Sequence, residues 1–211
     1  MSNYFRFLKD VPYDLLVPPH GIDYRSMTPA IAEEDFDWFL SVIPDRLAYF
    51  RRRCADDLGI SVNELNFSPQ SLLQVWNWFL NTARTEKTPK EQFETMQEMA
   101  KVFGETFVSK RVLTVATEFI VRDIAIYVGE CYVQTYPSLH WSLKTKPKND
   151  IAINQPVISG FCASNNGMTK ELFFAPIHMV GVQASKLLSA RADAADLYNV
   201  FCFWEQFVLP L

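Results

Sequence analysis

The sequence predicts an α+β domain that is mostly helical, with a short antiparallel sheet of about three strands in its C-terminal half packed against a central helix. Three observations carry this expectation. Helix starts made of a capping residue followed by proline recur along the first half, at Thr28-Pro29, Ser68-Pro69 and Thr88-Pro89. The run from Val112 to about Gln134 is apolar around most of a helical circumference. After Pro137 the apolar spacing changes from helical to alternating. The 211 residues, 49% of them hydrophobic, supply enough apolar material for one sizeable core. A single domain over 1–211 is expected: an extended lead-in (1–27), a mainly helical part (28–136), a hairpin and sheet (137–175), and closing helices (176–211).

Pro12, Pro18 and Pro19 suit a surface lead-in rather than a long helix. Thr28-Pro29 then opens a helix with Ile31, Phe36, Phe39 and Leu40 on its apolar face. Pro44 reads as the start of a second helix, with Leu47, Phe50, Cys54 and Leu58 recurring every three or four residues before a stop at Gly59. Ser68-Pro69 opens the next helix, whose stripe is Leu72, Leu73, Val75, Trp76, Phe79 and Leu80. Trp78 falls on the opposite side, where it would serve as an exposed aromatic anchor for a partner. Thr88 with Glu91 has the spacing of a capping box for a helix through Met96, Met99 and Phe103.

Beyond the central helix, Trp141, Leu143 and Thr145 alternate with His140, Ser142, Lys144 and Lys146, as in a strand with one buried face. Pro147 to Asp150 reads as a turn. Ile151, Ile153 and Val157 to Phe161 give a second strand, which Pro156 assigns to an edge or a bulge. Asn165-Asn166-Gly167 marks a tight turn before a third strand at Leu172 to Phe174. Pro176 starts a helix reaching about Leu188, and Asp193 to Phe207 forms an aromatic-rich last one whose apolar end docks on the domain or makes an oligomer contact.

A net charge of −4 speaks against a general nucleic-acid binder, and the charges inside Val112 to Val133 speak against a membrane span. The first ten residues lack the pattern of a signal peptide, so cytoplasmic residence is expected. Cys54, Cys131, Cys162 and Cys202 are widely separated and are expected to be reduced core thiols, and the spacing of Cys and His suggests neither a metal site nor a cofactor.

Four segments carry a resemblance: Leu65-Asn66-Phe67-Ser68-Pro69-Gln70-Ser71-Leu72, Tyr127-Val128-Gly129-Glu130, Leu139-His140-Trp141 and Asn154-Gln155-Pro156-Val157. Together they resemble uncharacterised bacterial domain families, some of them immunity-protein-like members of toxin loci. In those families a Ser-Pro-x-Ser-Leu helix precedes a Gly-Glu helix, a Trp-led hairpin and a final helix opening on proline. The resemblance spans roughly Glu64 to Leu188, and the chain departs from it by a longer insert between the two helices and by its own N-terminal helices. It implies a fold and, for the immunity-like members, a protein partner, but it carries no catalytic residues across.

Glu130 is the sharpest single candidate, because a carboxylate in so apolar a helix needs a partner or water. Asp123 lies on nearly the same face, about 10 Å away along the axis. These two with Gln134 read as the solvated edge of the helix, and Glu118 with Arg122 as an i,i+4 ion pair. Lys144, Lys146 and Lys148 alternate, so the hairpin would present one basic face, with Lys170 near it, to an acidic partner protein. Arg51-Arg52-Arg53 reads as a solvated helix face. The leading expectation is a non-enzymatic interaction domain that uses the lysine face and Trp78. The second is a small hydrolase or transferase with Glu130 and His140 or His178 in a pocket. A structural or oligomeric component using the apolar C-terminal segment is the third.

Overall fold

The computed structural model describes residues 13–103, 108–165 and 168–208. Among these the chain forms an α+β domain of six α-helices and two small antiparallel sheets. In order they are α1 (Pro29–Leu58), α2 (Ser71–Thr82), β1 (Thr85–Lys87), α3 (Lys90–Phe103), β2 (Arg111–Leu113), α4 (Val115–Thr135), β3 (His140–Leu143), β4 (Pro156–Asn165), β5 (Met168–Phe174), α5 (Pro176–Ser185) and α6 (Asp196–Glu205). The first sheet is β1–β2, and the second has the order β3-β4-β5.

α4 is the expected central helix: Phe119 to Val121 and Asp123 to Gly129 are buried in succession, and α1, α2, α5, β3 and β4 all lie against it. It starts three residues later than the apolar run suggests. Val112 and Leu113 belong to β2, and Thr114 caps the helix by accepting from the Thr117 amide at 3.4 Å. The Thr117 hydroxyl exchanges hydrogen bonds with the backbone of Arg84, which ties the helix start to the strand that enters β1. β1 and β2 bracket α3, and three-residue strands this short leave little periodicity to read. The Thr88 hydroxyl donates to the Ser109 carbonyl at 2.8 Å, so it joins the two ends of this excursion.

Proline misleads twice. α1 runs unbroken through Pro44, correcting the two-helix expectation. Pro44 and Leu40 are both exposed, so the Leu40 carbonyl that loses its amide partner can meet water, and the break is not forced. Pro156 opens the central strand, not an edge, as the first residue of β4 opposite Leu143. The bulge instead comes later, between Ile158 and Phe161. There Gly160 has φ +106°, and a Cβ at this position would collide with the Ser138 carbonyl. Residues 151–154 form turns, not strand, with Ala152 and Ile153 buried. The tight turn expected at Asn165-Asn166-Gly167 falls on 166–167, outside the described residues.

The helix after Ser68-Pro69 also begins late, at Ser71, because the Ser68 and Pro69 carbonyls first accept from Ser71 and Leu72 in a tight turn. α2 is buried on more than one side. Trp78 is therefore corrected from exposed anchor to core: it is 2% exposed, its ring meets Phe50 edge-on and its Nε1 donates to Asp57 at 2.9 Å. Burial works to raise the Asp57 carboxyl, but the Trp78 and Arg53 donors hold it below its ordinary value. Leu73, placed on the core stripe by spacing, is the exposed residue.

Two polar devices close the core. Asp123, expected at a solvated edge, is fully buried. Arg46 of α1 donates to it through Nε at 2.7 Å and Nη2 at 2.6 Å, and the Tyr13 hydroxyl donates to the same carboxylate. The guanidinium also pairs with Asp14 at 3.1 Å and stacks over Tyr49. Burial holds the Asp123 carboxyl above its ordinary value, against the opposing pull of Arg46 and Tyr13. The lead-in is thus clasped to α4. The second device joins α4 to β3: Gly129 leaves room for the Trp141 ring, where any Cβ would overlap it, and Trp141 Nε1 donates to Glu130 at 2.8 Å.

The remaining aromatics gather on Tyr132, whose ring stacks on Phe201 at 4.3 Å and meets Phe174 and Phe161 edge-on. The C-terminal segment docks: Val208 bridges to Phe161, and the Cys162 amide donates to the Phe207 carbonyl at 2.8 Å. Residues 209–211 lie outside the described residues. The cysteine expectation holds for Cys54 and Cys131, while Cys162 is half-buried and Cys202 is exposed. Arg51 departs from the solvated face expected of it, donating to the Val62 carbonyl and lying over the Phe67 ring.

Candidate functional site

A groove opens where the sheet meets the closing helices. Its floor comes from β5 and α5, one wall from the 144–152 connection between β3 and β4, and the other from α6 through Trp204. About 1360 Å³ of solvent-open space lies within it. Lys144, Lys146, Lys170 and His178 line it together with the carboxylates of Asp150 and Glu171, so the topology brings together cationic residues that sequence spacing joined only in part.

The four cationic residues are not equivalent. Lys144 is 8% exposed, with Nζ 3.6 Å from the centroid of the Phe173 ring and 3.7 Å from Asp150 Oδ2. It is a built-in part of the 144–152 wall and is corrected from a member of an exposed basic face. The bend that buries it is local: the Lys144 amide donates to Gln155 and its carbonyl accepts from Asn154, before the chain turns at Pro147 to Asp150. Lys146 is exposed and lines the groove, whereas Lys148 is exposed outside its lining. Lys170 is exposed on β5, paired with Ala163 of β4. Lys146 and Lys170 make no ion pair within 4 Å among the described residues. Ile151, 53% exposed, lines the same groove, as do half-buried Phe173, Met179 and Trp204.

The alternative Glu130–His constellation is not assembled. The Glu130 carboxylate accepts from Trp141 Nε1 and, at 3.2 Å, from Gln134 Nε2. His140 precedes Trp141 in β3 and so points to the other face of the sheet, with its side chain exposed. His178 lines the groove, whose lining does not include Glu130. Glu130 is a structural acceptor that positions Trp141. Glu118 and Arg122 make no ion pair within 4 Å, yet they interact: burial raises the Glu118 carboxyl and the Arg122 charge pulls against that rise, while Arg122 also donates to the Tyr24 hydroxyl at 3.3 Å.

The apolar half of the groove was missed at sequence level. The last helix read only as aromatic-rich, and nothing in the spacing of Ile151 signals that it lines a concavity. Among the described residues, no group of three or more His, Cys, Asp or Glu is placed to hold a metal ion, and no helix is long and apolar enough to cross a membrane. No family model matches the chain, and no curated protein or solved structure is detectably similar to it.

Proposed function

We propose that this chain is a non-enzymatic protein-interaction domain, immunity-like in kind, whose groove takes an acidic segment of a partner protein carrying an apolar side chain. The observation that carries this reading is that exposed Lys146 and Lys170 line the same groove as exposed Ile151 and half-buried Phe173 and Trp204. Exposed cations beside an apolar patch that a bound partner would desolvate combine steering with anchoring. Lys144, its charge met by Asp150, braces the wall against the Phe173 ring and leaves Lys146 and Lys170 as the cations open to a partner. The absence of a transmembrane helix among the described residues suits a cytoplasmic setting.

The test is affinity capture from the native host with the wild-type protein, a K146E/K170E variant and an I151D variant, each first shown to unfold at the wild-type temperature. A stoichiometric protein, lost in both variants and released as salt rises, is the expected result. Retention of that protein by both variants would place its binding elsewhere on the surface.

A further inference from the structure

A second concavity adjoins the groove, in the crease between α5 and α6. Met179 and Gln183 line it from α5 at a spacing of one turn, and Asn199, Val200 and Phe203 line it from α6. It holds about 300 Å³ of space, at the small end of ligand sites. The charges along it are already met: Lys186 pairs with Asp196, whose other oxygen accepts from the Asp193 amide at 2.8 Å. The group left unmet is neutral. Gln183 is 7% exposed, and its carboxamide makes no hydrogen bond among the described residues. A buried amide group without a partner is costly, so a matching group delivered by a bound molecule is favoured there.

Chemistry and position together say what would match it. A carboxamide offers an acceptor and a donor side by side, the complement of the N–H and C=O that one residue of an extended chain presents along the same edge. Met179 and Trp204 line both this crease and the lysine groove, so a single peptide segment can pass from one to the other. Phe203, 58% exposed, and Val200 give such a segment an apolar wall. Building on the reading proposed above, we infer that the partner's segment is held as an extended chain. Beyond its acidic part at Lys146 and Lys170, one main-chain N–H and C=O pair meets the Gln183 carboxamide, and an apolar side chain rests against Phe203.

Random peptides displayed on phage are selected on immobilised full-length protein, and the affinities of the enriched peptides are then measured by fluorescence anisotropy. Gln183→Leu and Phe203→Ser should each weaken them about tenfold. Methylating the peptide nitrogens one at a time should find one whose methylation weakens binding to the wild type about tenfold and leaves binding to Gln183→Leu unchanged. That pattern separates a main-chain contact from one made by an Asn or Gln side chain of the peptide, which methylation of the backbone would leave intact. The methylation scan on unmodified protein decides the matter should Gln183→Leu fold poorly. Enrichment of no peptide, or peptides that bind Gln183→Leu as tightly as the wild type, would overturn the inference. The two readings fail separately: peptides weakened by K146E/K170E but not by Gln183→Leu keep the lysine groove and remove the extended anchor, and the reverse keeps the anchor and removes the lysine groove.

Discussion

A methyl group at position 129 would occupy the space now filled by the Trp141 ring. Because that ring is also fixed through Nε1 to Glu130, it has no easy retreat. Gly129→Ala should therefore destabilise the fold by about 2–3 kcal/mol despite alanine's better helix propensity, and urea denaturation checks it. Cysteine chemistry gives a second test at this scale. Burial, with Asp57 adding to it, pushes the Cys54 thiol up to about 12, and burial with Glu130 raises Cys131 well above its ordinary value. Exposed Cys202 should take up iodoacetamide first at mildly alkaline pH, with Cys54 and Cys131 modified only after unfolding, as read by peptide mass spectrometry. Individual residues were unevenly legible. Glu130 was correctly marked as a carboxylate that needs a partner, but sequence could not say that the partner was the tryptophan eleven positions on. Asp123 misled because its charge argues for solvent, and only the approach of Arg46 from 77 positions away overturns that.

Among the elements, α1 offers the clearest experiment. Pro44 lies on its exposed side and deprives the Leu40 carbonyl of an intrahelical donor. Pro44→Ala restores that bond, at the expense of some added freedom in the unfolded chain, so a net stabilisation of about 1–2 kcal/mol is expected in thermal denaturation. Caps and stops were readable where they act locally: Thr28 accepts from the Ile31 amide, and Gly59 ends the helix in the left-handed region at φ +67°. Proline was overread as punctuation at positions 44 and 156 because its cost depends on which side faces water or where in a strand it falls. The β1–β2 pair escaped notice for a different reason, since it is defined by partners 24 to 28 residues apart and by almost no periodicity of its own.

For the molecule as a whole, the buried set of Tyr13, Arg46 and Asp123 joins the lead-in, the first long helix and the centre of the core. Asp123→Ala strands the Arg46 guanidinium in an apolar surrounding and should cost about 3–5 kcal/mol, whereas an R46M/D123L double variant should recover most of that loss in calorimetry. The layered α+β plan was legible because apolar periodicity reports what each element needs to bury. The groove was only half legible: alternation suggested a lysine face, but which lysine bends inward and which aromatics lie beneath depends on how the 144–155 segment returns to the sheet.

The placement of α4 bears on how quickly the chain reaches this arrangement. Its covering groups arrive from both directions, Tyr13 from 110 residues before Asp123 and the Phe201 carbonyl from 69 residues after Tyr132. The central helix can form early from local contacts, yet it stays uncovered until segments far apart along the polymer have found it. Closing such long loops carries an entropic barrier, which puts this largely helical protein among the slower mixed α/β folders in kinetics. During that delay the bare flank of α4 is the surface most open to capture by other unfolded chains.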